Sequence, residues 1–207
     1  MSHETIFTKI YNSNAFRGKV SLSGPGSDPD QTTILIEQLP RLLRKFEIST
    51  LLDIPCGDCR WIRSIDLGNT AYTGADIVQE LIQRNAGTFS GKRMRFVRLD
   101  LLTDPLPKVD AILCRDCLVH FSLRDSLKAL RNICKSGSTF LLTTTFVSRT
   151  ENADILTGQW RPLNLQAPPF HFPAPEAAIN EMCTEGNGAC ADKSLALWRI
   201  GEIRKCI

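Results

Sequence analysis

Thr50-Leu51-Leu52-Asp53-Ile54-Pro55-Cys56-Gly57-Asp58 decides the fold of this chain. Its apolar run is short, starts on a β-branched residue and stops at a turn built around proline and glycine. Apolar residues without alternation, bounded by turn residues, describe a strand covered on both faces, as in a parallel sheet.

The same phrase recurs downstream as Ala71 to Asp76, Arg95 to Asp100, Ala111 to Cys114 (followed by Arg115-Asp116) and Phe140 to Thr144. Helix-period stretches separate these runs. A brief one lies around Trp61 to Ile65, and another holds Leu81 and Ile82. In a third, Leu123, Leu127, Leu130 and Cys134 share a face behind the capping box Ser122 to Asp125. Upstream, Leu35, Leu39, Leu42 and Phe46 line one side of a helix opened by the acidic turn Asp28 to Asp30, and Pro40 predicts a kink or restart. Beyond the fifth strand the rhythm fails: residues 148–176 hold five of the eleven prolines and show no helical period. Lys193 to Ile200 resumes as a last strand, with a partner near Ile179 to Thr184. The pattern predicts an α/β, Rossmann-like three-layer sandwich with a mostly parallel seven-stranded sheet. We expect one domain over 1–207. It divides into an N-terminal arm and helix (1–48), a cofactor-binding core (49–146), a substrate-facing irregular segment (147–191) and a last strand with its tail (192–207).

The 207 residues suit one core, and 43% hydrophobic with 23% charged residues is an ordinary globular mix. The net charge of +3 is small and its basic residues are scattered, which argues against nucleic acid. Residues 1–19 lack the apolar core of a signal peptide. No apolar run approaches the roughly 20 residues that span a bilayer. We therefore expect a cytoplasmic chain without a membrane partner, its oligomeric state left open by the sequence. Eight cysteines include two C-x-x-C pairs, Cys56/Cys59 and Cys114/Cys117, which could form a four-thiolate zinc site. Both pairs sit where strands end and are expected instead as small buried fillers, with no metal.

Ligands of open α/β sheets bind beyond the carboxyl ends of the strands. Here Asp53, Asp76 and Asp100 end successive strands, and Asp116 follows the next by two residues. Asp76 can accept from both hydroxyls of a ribose, and Asp100 from an exocyclic amine, with Ile77 and Leu101 as apolar walls for a purine. Asp53 and Asp58 would repel a pyrophosphate but suit ammonium and sulfonium charges. That sign favours S-adenosylmethionine over NAD, as does the missing G-x-G-x-x-G. For Asp58, capping of the following helix is an equally good reading.

Leu51 to Asp58 resembles the first motif of class I S-adenosylmethionine-dependent methyltransferases, Asp76 the acidic residue of their second motif, and Asp100 their adenine-side acid. The resemblance covers residues 49–146. Pro55 and Cys59 stand where the family carries its first and third glycines. Ser21 to Ser27 and Trp160 to Leu165 look like the flanks of a smaller bacterial-type group. The resemblance implies S-adenosyl-L-methionine as cofactor, held by Asp53, Pro55, Cys56, Gly57, Asp58, Asp76, Ile77, Asp100, Leu101 and Arg115. It also places the end of the fourth strand nearest the transferred methyl group. Asp116 or His120 could take a proton there, although His120 could equally cap or pack the next helix. The irregular segment is expected to form a substrate-facing wall and lid with Ser21 to Ser27. Trp160, Arg161 and Asn164 would contact the acceptor, with Phe170 and His171 as further ring walls. The expected function is methyl transfer to a small molecule such as a sugar or polar metabolite. The alternative is an inactive cofactor-binding module acting as a partner or regulator.

Overall fold

A computed structural model describes residues 1–207. Its centre is a sheet of seven strands in the order β3-β2-β1-β4-β5-β7-β6. These are Thr50–Asp53 (β1), Ala71–Asp76 (β2), Met94–Arg98 (β3), Ala111–Cys114 (β4), Phe140–Phe146 (β5), Ala177–Asn180 (β6) and Lys193–Arg199 (β7). The pairs β1-β2, β1-β4, β2-β3 and β4-β5 are parallel. Only β7 runs against its neighbours, β5 and β6. The expected fold class stands.

Alternation along each central strand sorts its side chains into two cores. Leu51, Ala111, Leu113, Leu142 and Leu195 enter one, while Leu52, Ile112, Cys114, Leu141 and Ala196 enter the other. The first core is closed by Leu35, Leu39, Leu42 and Leu43 of Pro29–Lys45 (α2) and by Leu81 and Ile82 of Gln79–Phe89 (α3). The second is closed by Ala129, Leu130 and Ile133 of Leu123–Lys135 (α4) and by Ile200 and Ile203 of Ile200–Ile203 (α5). An N-terminal helix, His3–Asn12 (α1), has no buried residue and lies outside both layers.

Local chemistry explains several boundaries. Pro29 occupies the first turn of α2, where a missing N–H costs nothing. The helix then runs through Pro40 without the expected restart, its Leu39, Leu42 and Leu43 anchored in the core. Asp28 does not cap α2. Its carboxylate accepts from the backbone N–H groups of Lys19, Val20 and Ser21 at 2.8–2.9 Å. Half of the predicted box at α4 forms: Ser122 Oγ accepts from the Asp125 N–H, but the Asp125 carboxylate turns to Thr157 and His3. Trp61 to Ile65 tightens into a 3₁₀ turn over Ile62–Ser64.

Residues 147–176 contain no helix or strand, as the prolines predict. The segment nevertheless contributes Leu163, Leu165, Phe170 and Phe172 to the second core, beside Phe146 and Trp198. It fills the place that a packed helix would otherwise take. The paired cysteines part company: Cys56 and Cys59 belong to the first core, Cys114 and Cys117 to the second. No helix is long and apolar enough to cross a membrane.

Candidate active site

The carboxyl ends of β1, β2 and β4 open into a crevice enclosing about 130 Å³. Asp53, Pro55, Cys56, Gly57, Asp58, Asp76, Ile77, Asp100, Leu101 and Arg115 all line it, together with Asp116 and His120. Trp160, Arg161 and Asn164 do not, nor does any residue between 147 and 191. The wall facing the sheet comes instead from the N-terminal segment, through His3, Phe7, Tyr11, Phe16, Leu22 and Ser23.

The turn after β1 is held from both sides. Gly57 has φ 55°, a backbone region that side chains rarely adopt, and a Cβ there would stand 2.2 Å from Ser23 Oγ. Cys59 also takes φ 56°, so the third-glycine position keeps a glycine-like backbone under a larger residue. Asn85 of α3 donates to the Gly57 carbonyl at 2.7 Å, a buried contact that no sequence motif marks. Asp76 accepts from the N–H groups of Gly57 at 3.2 Å and Val78 at 3.0 Å. Burial raises its pKa to about 6 against those hydrogen bonds. Asp53 is raised further, to about 7, by burial and by the neighbouring Asp76 charge, while the Tyr72 hydroxyl donates to it at 2.7 Å. Asp100 accepts from the Leu102 N–H at 2.8 Å.

Asp58 does different work. It accepts from Ser21 Oγ at 3.1 Å and the Leu22 N–H at 3.2 Å, while Ser23 Oγ accepts from the Asp58 N–H at 2.9 Å. The carboxylate thus fastens the Ser21 to Ser23 arm across the mouth of the crevice. Neither a free anion nor a simple helix cap describes it.

Past β4 lies a buried charge cluster. Arg115 grips Glu181 with two N–H donors, at 2.6 and 3.2 Å, and donates to the Gly26 carbonyl at 2.7 Å. Lys193 Nζ lies 2.7 Å from Asp116 Oδ2 and 3.5 Å from Glu181. Arg115 approaches the same Asp116 oxygen at 3.3 Å. Burial pushes the Asp116 carboxyl up, but Lys193 and Arg115 override it and hold it far below the usual carboxylate range. Asp116 is therefore a fixed negative charge and a poor proton acceptor, and Arg115 has its donors committed within the protein. Glu181 and Lys193 escaped the sequence reading. The available signal was a charge at the border of each of the last two strands.

His120 differs. Its Nδ1 lies 2.9 Å from the Gln159 carbonyl, which can only accept, so Nδ1 carries the proton and a neutral ring presents Nε2 as a lone pair. Burial lowers its pKa to about 4 despite that hydrogen bond. Nε2 has no protein partner and the ring lines the crevice.

The expected acceptor residues face elsewhere. Arg161 donates to the carbonyls of Leu118, Phe121 and Ala153 at 2.8–3.0 Å, clamping the turn that carries His120 from behind. Asn164 donates to the Arg149 carbonyl and Trp160 packs edge-on against Phe146. Phe170 is buried in the core, and His171 is absent from the crevice lining. The reason is that buried carbonyls around residues 118–121 need donors, and this segment supplies them.

The donor set tests the implied cofactor. Asp53, Asp76 and Asp100 offer acceptors, whereas the lining guanidinium is spent on Glu181, Gly26 and Asp116. Such a crevice fits a ligand bringing hydroxyls, amines and positive charge, and it suits S-adenosylmethionine better than a pyrophosphate.

Residues 51–137 match the family model of a methyltransferase domain. No curated protein matches the chain. Among solved structures, human N-acetylserotonin methyltransferase in complex with S-adenosylmethionine superposes with a TM-score of 0.62 at 16% identity, over 96% of this chain. This chain spans only 60% of that protein's length. A Burkholderia thailandensis 1,6-didemethyltoxoflavin N1-methyltransferase, with its substrate and S-adenosylhomocysteine bound, gives 0.62 at 16% identity, covering 95% of this chain and 86% of its own. The magnesium protoporphyrin IX methyltransferase of Synechocystis PCC 6803, with S-adenosylmethionine, gives 0.53 at 16% identity, over 74% and 81% of the two chains.

Proposed function

We propose that this chain, whose residues 51–137 match a methyltransferase domain and whose fold is that of S-adenosylmethionine-binding methyltransferases, methylates a small molecule and that His120 takes the acceptor's proton. The observation that carries this reading is the division of the crevice. Three carboxylates end or follow β1, β2 and β3, and an imidazole with an unpartnered Nε2 follows β4, on the other side of β1 in the sheet.

S-adenosylmethionine, when bound, supplies an electrophilic methyl group on a positively charged sulfur, and its departure leaves a neutral thioether. Asp76 would hold the ribose hydroxyls through lone pairs not used by Gly57 and Val78, while Asp100, Ile77 and Leu101 surround the base. Asp53 places a carboxylate near the amino-acid end of the cofactor. His120 Nε2 accepts the proton as the acceptor's oxygen or nitrogen forms its bond to carbon, and Nδ1 stays tied to Gln159. Methyl transfer depends mainly on alignment, so the rigid turn behind His120 contributes as much as its basicity. Asp116, ionised and paired, supports the charge that develops on the imidazole. Two of the structural relatives named above act on ring-bearing small molecules, which is compatible with an acceptor of that size.

Calorimetry tests the cofactor half. S-adenosylhomocysteine should bind more tightly than NAD, and Asp76→Ala should weaken it by about tenfold or more, the scale of one lost charge-assisted hydrogen bond. Tighter binding of NAD, or an unchanged dissociation constant in a folded Asp76→Ala variant, would sink the assignment.

A further inference from the structure

We propose that the acceptor is a flat, uncharged aromatic molecule carrying one hydroxyl or ring N–H, seated in the crevice beside the edge where the N-terminal segment meets the Asp116 to Phe121 turn. This inference rests on the cofactor reading above, because the seat is what remains of the crevice once the strand-end carboxylates are assigned to S-adenosylmethionine.

The seat is walled by rings. Phe16 lies over His120 with centroids 4.2 Å apart and planes 26° from parallel. Phe7 leans on Phe121 at 5.7 Å. Tyr11 and Ile10 extend the same apolar wall. Helix α1 buries none of its residues fully, yet Phe7, Ile10 and Tyr11 face this space. An amphipathic helix that directs its apolar face at a crevice leaves that face for whatever enters.

The polar groups of the seat are nearly all committed. Asp116 Oδ2 receives Lys193 and Arg115, and Oδ1 receives the Thr144 hydroxyl at 3.3 Å. His3 is paired with Asp125 at 3.1 Å. His120 Nδ1 is held by Gln159. His120 Nε2 remains open, and beside it only the small hydroxyls of Ser23, Ser27 and Tyr11 have capacity to spare. A sugar brings several hydroxyls, more than these few groups can partner once water is lost, and its faces would lie on an apolar wall. A planar ring with a single hydroxyl or N–H meets Nε2 with its one donor and packs on the sides of the Phe16, Phe7 and Phe121 rings that face the crevice. An acceptor with its own carboxylate would face the ionised Asp116, so the fit is to a neutral molecule. The chemistry of the wall thus replaces the sugar or polar metabolite expected from sequence with an aromatic one.

Calorimetry on the full chain separates this inference from its premise. S-adenosylhomocysteine is titrated first. With it saturating, 2-naphthol and methyl α-glucoside are titrated as the planar and polyhydroxyl probes. We expect 2-naphthol to bind at least about tenfold more tightly than the glucoside. Phe16→Leu, which keeps apolar volume and removes the ring, should weaken 2-naphthol roughly two- to tenfold, the scale of one stacking contact. The same variant should leave S-adenosylhomocysteine affinity within about twofold, and Phe7→Leu, further along the same wall, should behave likewise. A chain that binds S-adenosylhomocysteine but takes the glucoside as well as 2-naphthol overturns the acceptor class alone. So does 2-naphthol binding that neither variant alters. Failure to bind S-adenosylhomocysteine overturns the cofactor reading and this inference with it.

Discussion

The N-terminal segment, Met1 to Asp28, and the segment from Val147 to Glu176 both lie outside the strand-helix repeat, yet they direct their apolar side chains to different places. The first sends Phe7, Tyr11 and Phe16 to the crevice and buries none of the residues in its helix. The second sends Leu163, Leu165, Phe170 and Phe172 into the core beneath the sheet and none to the crevice. Their polar attachments differ in the same sense. The N-terminal segment is tied near its end, where Asp28 and Asp58 collect four backbone N–H groups from Lys19 to Leu22. Helix α1 itself is tethered by half-exposed pairs such as His3 with Asp125 and Glu4 with Arg98. The later segment is locked internally by Arg161, Asn152 and Asn164, all reaching backbone groups. One stretch is a wall fastened at its edge, and the other is part of the frame.

The largest expected effect falls on the frame. Arg161→Ala removes three charge-assisted hydrogen bonds to backbone carbonyls and leaves the Phe121 carbonyl without its donor, a loss of about 3 kcal/mol in stability. The melting temperature should drop by roughly 6 to 12 °C, while S-adenosylhomocysteine affinity, measured well below the transition, stays within about twofold. An unchanged melting temperature with lost methyl transfer would return Arg161 to the acceptor site and erase the distinction between the segments.

A second test addresses the cofactor end of the crevice. Asp53 and Asp76 have pKa values raised to about 7 and about 6, chiefly by burial. A cationic ligand with ribose hydroxyls favours their ionised forms, so binding should release protons. Affinity for S-adenosylmethionine should rise about tenfold per carboxylate between roughly pH 5 and 7.5. The sign for the free protein is opposite. Carboxyls with raised folded-state pKa values stabilise it fully below about pH 4, and that contribution fades as pH climbs through about 6 and about 7. His120 contributes in the reverse direction: its folded-state pKa of about 4 is below the ordinary value, so its contribution is lost as pH falls from about 6.5 towards about 4. Affinity that is flat across the neutral range would place both aspartates away from the ligand.

The smallest effect belongs to the wall. His3→Ala removes one partly exposed pair and should cost less than about 1 kcal/mol, a shift of no more than a few degrees in melting temperature. If it destabilised the chain as much as Arg161→Ala, α1 would belong to the frame.

Strand runs such as Thr50 to Asp53 and Ala111 to Cys114 were legible because burial on both faces leaves a local mark, an unbroken apolar run ending in turn residues. The strand-end carboxylates were legible for the same reason: once the strands are placed, their carboxyl ends share one edge of the sheet. Pro40 does not restart the helix because its cost is local while the anchoring of α2 by Leu39, Leu42 and Leu43 is not. Trp160, Arg161 and Asn164 were expected at the crevice, which they do not line, because prolines and aromatics in an irregular segment look alike whether they pack into a core or face a ligand.

By itself, then, the amino-acid order determined the α/β class, the strands and the carboxylates at their ends, all of which follow from patterns a few residues long. Only the tertiary structure decided which segment became the wall and which the frame. It brought Glu181 and Lys193, 66 and 77 positions away in sequence, onto Arg115 and Asp116. It also turned Arg161 from a candidate ligand contact into a clamp. The physical reason is desolvation: a buried charge or carbonyl must find a partner, and that partner is chosen by proximity in the folded chain, which no local period records.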